Sequence, residues 1–403
     1  MSTVTPASPP PATAPPPPRG GLPAVVAVTL GIFAIVTTEI LPIGLLTSIG
    51  SDFTVSDGTA GLTMTMPGLL AAVAAPVVTV ATGRYDRRRM LVLFLLLLAG
   101  ANLLAATATG YGAVLVSRIL VGLVIGGFWS VAAGLAARLV PERSVRRATA
   151  VIFSAVPLGS VLGVPLGTLV GDAYGRRTAF AAMAVFTLGT LLLVVVTVPP
   201  LPAVEVTRGA VLRDALRAPG TKAALVFTFL VVLAHFGAYT YVTPFLEEVS
   251  GAGPMAVTLC LLGFGAAGIA GTFLGGTVVG RRPRTAFAGA GVLLAAAVLA
   301  LPVLGGSTGP AAVLLLVWGV AYGAVPVCSQ AWFARAVPRA PEAASVLFTA
   351  SFQATISLGA LMGGVAVDRH SPAAAMVLGG ATAALMVCAV VAHAARGPRL
   401  RRP

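Results

Sequence analysis

MLVLFLLLLAGANLLAATATGYGAVLVSRILVGLVIGGFWSVAAGLAA (residues 90–137) decides the fold. The stretch carries one charged side chain, Arg118, and one short break near Gly110. At a 1.5 Å rise, about 20 apolar residues cross a hydrocarbon layer of about 30 Å, so the segments 90–109 and 112–137 each span a bilayer. Arg84, Arg87, Arg88 and Arg89 precede the pair, and Arg138, Arg143, Arg146 and Arg147 follow it. Cations retained in loops mark the side a chain never left during insertion, so this hairpin leaves and returns to one face of the membrane.

The same reading extends in both directions. Further apolar spans fall at 23–47, 59–82, 148–171, 178–198, 223–246, 254–279, 285–304, 310–334, 343–367 and 372–395, making twelve. Every second gap is basic: Arg208, Arg213, Arg217 and Lys222; Arg281, Arg282 and Arg284; Arg335 and Arg339; Arg396, Arg399, Arg401 and Arg402. With Arg19, 22 of the 26 Lys and Arg residues lie on one side, against Arg176, Arg177 and Arg369 on the other. Both termini are therefore expected in the cytoplasm of a cell whose inner membrane holds the chain.

A chain 57% hydrophobic and 9% charged, with mean hydropathy +0.98, excludes an ordinary soluble domain. No run alternates with period two, which excludes a β-barrel. The expectation is an all-α integral membrane protein of twelve transmembrane helices in two pseudo-symmetric six-helix bundles. The formal charge of +14 sits on the cytoplasmic rim, where anionic lipid rather than nucleic acid is the partner. Cys260, Cys328 and Cys388 are scattered through spans and read as packing thiols, with no metal site or disulfide frame. Residues 1–22 read as a disordered, proline-rich cytoplasmic tail, and 396–403 as a basic one.

The longest internal gap, 199–222, divides 23–198 from 223–395 and reads as a linker, either simple or carrying a short interfacial helix near Arg208–Arg217. The halves repeat. Thr38 to Pro42 aligns with Thr240 to Pro244, Gly122 and Gly126 with Gly319 and Gly323, and Gly163, Gly167 and Asp172 with Gly359, Gly363 and Asp368. Six-plus-six parallel repeats are an architecture of transporters that rock two halves about a site at the midplane.

The chain resembles the major facilitator superfamily, and within it the twelve-span drug:proton antiporters that include bacterial drug- and sugar-efflux proteins. The resemblance rests on Thr38-Glu-Ile-Leu-Pro-Ile-Gly-Leu-Leu46 in span 1 and on His235-Phe-Gly-Ala-Tyr-Thr-Tyr-Val-Thr-Pro-Phe-Leu246 in span 7. The loop Gly83 to Arg89, with Asp86 and Arg87, stands at the superfamily's loop signature, but Thr82 and Arg89 replace its two glycines. The resemblance implies proton-driven export by alternating access, and it links a span-4 arginine such as Arg118, followed by Gly122, to proton translocation.

The residues themselves support specific expectations. Glu39 is the acidic residue well inside a span, and such carboxylates mark proton or ion pathways unless they snorkel to an interface. Arg118 lies at a similar depth and would share its desolvation cost with Glu39, as a coupling pair or as a purely structural one. Gly159, Gly163, Gly167 and Gly171 form a flat stripe interrupted by Pro165, resembling the antiporter signature at the bend where the two halves meet. The remaining candidates for a substrate or proton site are His235, Tyr239, Tyr241, Asn102, Phe33, Phe128, Trp129, Gln330 and Gln353.

No phosphate loop, metal cluster or paired nucleophile and base is present, so neither cofactor nor catalysis is expected. The expected function is export of a small, largely apolar organic compound, drug or sugar-like, in exchange for protons by a monomeric multidrug-resistance type carrier. A proton-coupled importer of a small metabolite and a transport-inactive sensor or scaffold are the alternatives.

Overall fold

The computed structural model describes residues 20–82, 85–132, 135–202, 209–218, 220–279, 282–338 and 341–396. The proline-rich tail up to residue 19, the basic tail from 397, the loop positions Gly83, Arg84 and Arg281, linker residues 203–208 and the side chain of Trp129 lie outside the described residues.

The described chain is helical throughout. In order the helices are α1 (Gly21–Gly44), α2 (Leu46–Phe53), α3 (Asp57–Ala60), α4 (Leu62–Ala81), α5 (Arg87–Thr107), α6 (Tyr111–Ala132), α7 (Leu135–Leu139), α8 (Glu142–Thr197), α9 (Gly209–Arg217), α10 (Thr221–Tyr239), α11 (Val242–Pro244), a π-helical turn at Phe245–Val249, α12 (Pro254–Val279), α13 (Pro283–Leu304), α14 (Thr308–Ala336), α15 (Pro341–Arg369) and α16 (Pro372–Arg396). Eleven are long and apolar enough to cross a membrane. One of these, α8, runs for 56 residues and turns at Gly175, whose φ of 80° and ψ of 159° are open to glycine. It therefore supplies spans 5 and 6, and the chain crosses twelve times.

Two large apolar cores form, one built mainly from α1, α5, α6 and α8, the other from α10 and α12 to α16. The repeat seen in the sequence organises both. Gly163 and Gly167 sit against Ile40 and Leu41 of α1, while Gly359 and Gly363 sit against Gly237 of α10 and Tyr241 just beyond its end. Gly122 meets Pro67 and Leu70 of α4, and its mate Gly319 meets Phe264 and Ala267 of α12. Large side chains such as Leu93, Leu96, Val196, Phe273 and Val303 are exposed, as lipid-facing surfaces require. Cys260 and Cys328 are buried, whereas Cys388 points outward and does not pack in a core.

The halves touch where α15 lies on α3 and α4, and where α12 lies on α8. Several hydrogen bonds close the end opposite both termini. Asp368 of α15 accepts from the Ser56 hydroxyl and the Gly58 N–H, both at 2.8 Å. Thr243 donates to the Ile43 carbonyl at 3.0 Å, and the Tyr241 hydroxyl donates to the Ala360 carbonyl at 2.7 Å while its ring lies against Gly61 of the first half. On this cation-poor side Arg176 pairs with Asp52 at 2.7 Å and lies over the Phe53 ring. At the other end α9 is a helix, as one reading of the linker expected; it docks against α10 and α15 through Ala215.

Candidate functional site

The site begins with two prolines. A residue at position i+4 normally donates its N–H to the carbonyl of residue i, and proline has none to give. Pro42 in α1 therefore frees the Thr38 carbonyl, and Pro67 in α4 frees that of Thr63. Arg118 of α6 fills both places: Nη1 donates to Thr38 O at 2.9 Å and Nε to Thr63 O at 3.0 Å. Its Nη2 also donates to the Glu39 carbonyl at 2.7 Å. Arg118 is 1% exposed and ties α6 to the backbones of α1 and α4.

This changes the expected pairing. Arg118 and Glu39 share a depth, but the arginine is spent on carbonyl oxygens, including that of Glu39, and makes no ion pair with the carboxylate within 4.0 Å among the described residues. The physical reason is that proline-freed carbonyls buried in apolar surroundings need donors, and a planar fork of N–H groups suits several at once. The Glu39 carboxylate turns to the other half of the molecule instead. Gln353 of α15 donates Nε2–H to Glu39 Oε1 at 2.8 Å, with both side chains buried. Asn102 of α5 completes the web, donating to the Thr38 hydroxyl at 3.0 Å and to the Leu98 carbonyl at 3.1 Å; its Oδ1 has no partner.

Beyond Gln353 lies a cluster of rings. His235 and Tyr322 stack with centroids 3.3 Å apart, Tyr239 stacks on the other side at 4.9 Å, and Tyr239 stacks on Phe264 at 4.4 Å. The Trp318 indole N–H donates to His235 Nδ1 at 3.1 Å, which leaves the ring proton of neutral His235 on Nε2. An imidazolium has protons on both nitrogens and could not accept that bond, so His235 here is a neutral, packed ring.

The other candidates separate. Phe128 is buried in the first core, and Phe33 packs edge-on against Phe186, so both are packing residues within that half. Tyr241 belongs to the closed end, and Gln330 is exposed on α14. Asp86 caps α5 by accepting the Arg89 N–H at 3.1 Å, while Arg87 donates its backbone N–H to the Leu201 carbonyl at 2.8 Å. The stripe of Gly159, Gly163, Gly167 and Gly171 faces Val36, Ile40 and Leu41 of α1 and Leu45 at its C-cap, not the opposite half. Four-residue spacing keeps all four on one helix face, and that face lies on α1; α8 meets the second half through Val161, packed against Gly265 of α12. The sequence reading missed Thr38 and Thr63 as members of the site, and it could not sort Trp318 and Tyr322 from the other aromatic residues of the spans. A threonine four residues before a proline was the visible signal for the first two.

The model for the Major Facilitator Superfamily matches residues 28–353. The chain belongs to this superfamily. It is a multi-pass membrane transporter of small molecules and not an enzyme. As a superfamily member it is 34% identical over 369 residues, 92% of its length and 93% of the relative's, to the purine ribonucleoside efflux pump NepI of Salmonella paratyphi B. The corresponding pump of Salmonella enteritidis matches equally well. Among solved structures, a bacterial homolog of the human lysosomal transporter Spinster, inward-facing and unoccupied, superposes with a TM-score of 0.76 at 16% identity, over 92% of this chain and 95% of that one. The human organic anion transporter MFSD10 superposes with a TM-score of 0.64 at 17% identity, over 91% and 99%.

Proposed function

We propose that this superfamily member exports a small, largely apolar organic molecule, with purine ribonucleosides the first class to test, in exchange for protons moving inward. The observation that carries the reading is the Glu39–Gln353 hydrogen bond, which joins the halves through a buried carboxylate. An ionised carboxylate accepts a charge-assisted bond about twice as strong as a neutral one. Protonation of Glu39 weakens that link, and a substrate that takes Gln353 breaks it. Proton and substrate thereby act on one contact between the two bodies that must rock. The identity with purine ribonucleoside efflux pumps supports export and the nucleoside class. The closed end opposite both termini fits a carrier waiting for cargo from the cytoplasm, as a monomer with both termini inside.

The test is purified protein in proteoliposomes under an imposed pH gradient, offered labelled purine ribonucleosides, cationic drugs and sugars. Wild type accumulates its substrate uphill. Glu39→Gln cannot release a proton and is expected to bind substrate without concentrating it. Uphill transport by Glu39→Gln overturns the coupling role, and proton-driven movement in the opposite direction favours an importer.

A further inference from the structure

The rim that carries the arginine-rich gaps holds a groove that the transport reading does not use. Its walls are the first turns of α5 and the last turn of α8, where Arg88, Arg89, Val92, Leu93, Leu96 and Val195 surround about 380 Å³. Arg89, Val92, Leu93 and Leu96 recur at three- and four-residue steps, so they line one face of α5. Seven residues at 1.5 Å each put Leu96 about 10 Å deeper than Arg89. The groove is therefore cationic at its mouth and purely apolar below.

Each wall has a physical cause. Pro199 has no N–H for the Val195 carbonyl, and Arg88 Nη2 supplies one at 2.6 Å, which ties α5 to α8 and fixes one guanidinium at the mouth. Arg89 is exposed beside it, and the nearby acid, Asp86, has Oδ1 engaged with the Arg89 backbone N–H. Leu93 and Leu96 are 52% and 53% exposed and Val195 40%, so the lining is open to the bilayer. Two guanidiniums over a hydrocarbon slot match an anion joined to a long alkyl chain.

We propose that this groove is a specific site for an anionic phospholipid, with the phosphate between Arg88 and Arg89 and one acyl chain along Val92, Leu93, Leu96 and Val195. A zwitterionic lipid would bring an ammonium toward two guanidiniums, and free phosphate would leave the slot empty. The bound lipid bridges α5 to the end of α8, so it braces the outer wall of the first half at the rim.

The experiment titrates phosphatidylglycerol, phosphatidylcholine or inorganic phosphate into the purified full chain, reading the thermal midpoint and intact-complex mass spectrometry. Phosphatidylglycerol is expected to bind saturably and raise the midpoint, with affinity about five-fold weaker in Arg89→Gln. Arg143→Gln removes an exposed rim cation outside the groove and should leave that affinity unchanged. Equal retention of phosphatidylcholine overturns the proposal, as does an equal loss in Arg89→Gln and Arg143→Gln, which would mean diffuse surface attraction. A midpoint shift with inorganic phosphate alone overturns the lipid assignment in favour of a simple anion site.

Discussion

Arg118→Leu puts at this position the residue that the second half already carries, since the register of Gly122 with Gly319 matches Arg118 to Leu315. The substitution leaves the Thr38 and Thr63 carbonyls buried with no donor, because Pro42 and Pro67 cannot serve them. An unpaired buried carbonyl costs about 1–3 kcal/mol, so the two together cost about 2–6 kcal/mol. Losing the guanidinium also relieves its burial penalty, which places the net near the lower end, about 2 kcal/mol. Pro42→Ala returns an N–H to Thr38 and separates this account from a general loss of packing. In the Arg118→Leu background it should recover about 1 kcal/mol or more. In wild type the new N–H competes with Arg118 for one carbonyl and gains less. The assay is a double-mutant cycle on unfolding in detergent, with a coupling of about 1 kcal/mol expected. Equal effects of Pro42→Ala in both backgrounds would refute the reasoning.

Gly167→Leu should destabilise the fold by about 1–3 kcal/mol and depress transport, since even a Cβ there meets Leu41 Cδ1 at 2.8 Å; unfolding and flux of the purified variant check it. Glu247, beside the closed end, has its carboxyl pushed up to about 7, chiefly by burial and then by Asp172, Asp57 and Glu248, against a hydrogen bond from Thr47. A raised carboxyl pKa means that the closed state holds the extra proton, so closure weakens as pH rises from the ordinary value of 4.5 to about 7. Glu247→Gln should flatten that dependence in spin-label distances across residues 57 and 248, and an unchanged pH profile would count against it. For topology, an impermeant thiol reagent on intact cells should label a cysteine at 248 and not one at 282; the reverse pattern inverts the orientation.

The spans were legible because hydropathy needs no partner: a run such as 90–109 is committed to the bilayer by its own composition. The turn at Gly175 was legible only as a gap, since helix geometry runs almost unbroken through it. Side-chain partners were harder. Arg118 announced itself as a lone basic residue in a span, and Glu39 suggested a partner by depth, yet its real partners are backbone oxygens, which no side-chain pattern reveals. The two prolines held that information, because each removes one donor at a known offset. The glycine stripe was equally plain as a flat surface, but a stripe does not say which helix lies on it. His235 was ambiguous for a similar reason, as its role depends on Trp318, 83 residues away.

The closed end has a property that follows from how Asp368 is held. Its carboxylate is met by a hydroxyl and a backbone N–H at 2.8 Å, not by a lysine or arginine. Mobile ions screen charges over about 8 Å at physiological ionic strength and barely touch a dipole at bonding distance. These two contacts keep their strength in dilute and concentrated salt alike, whereas the Arg176–Asp52 pair at the same end weakens as salt rises.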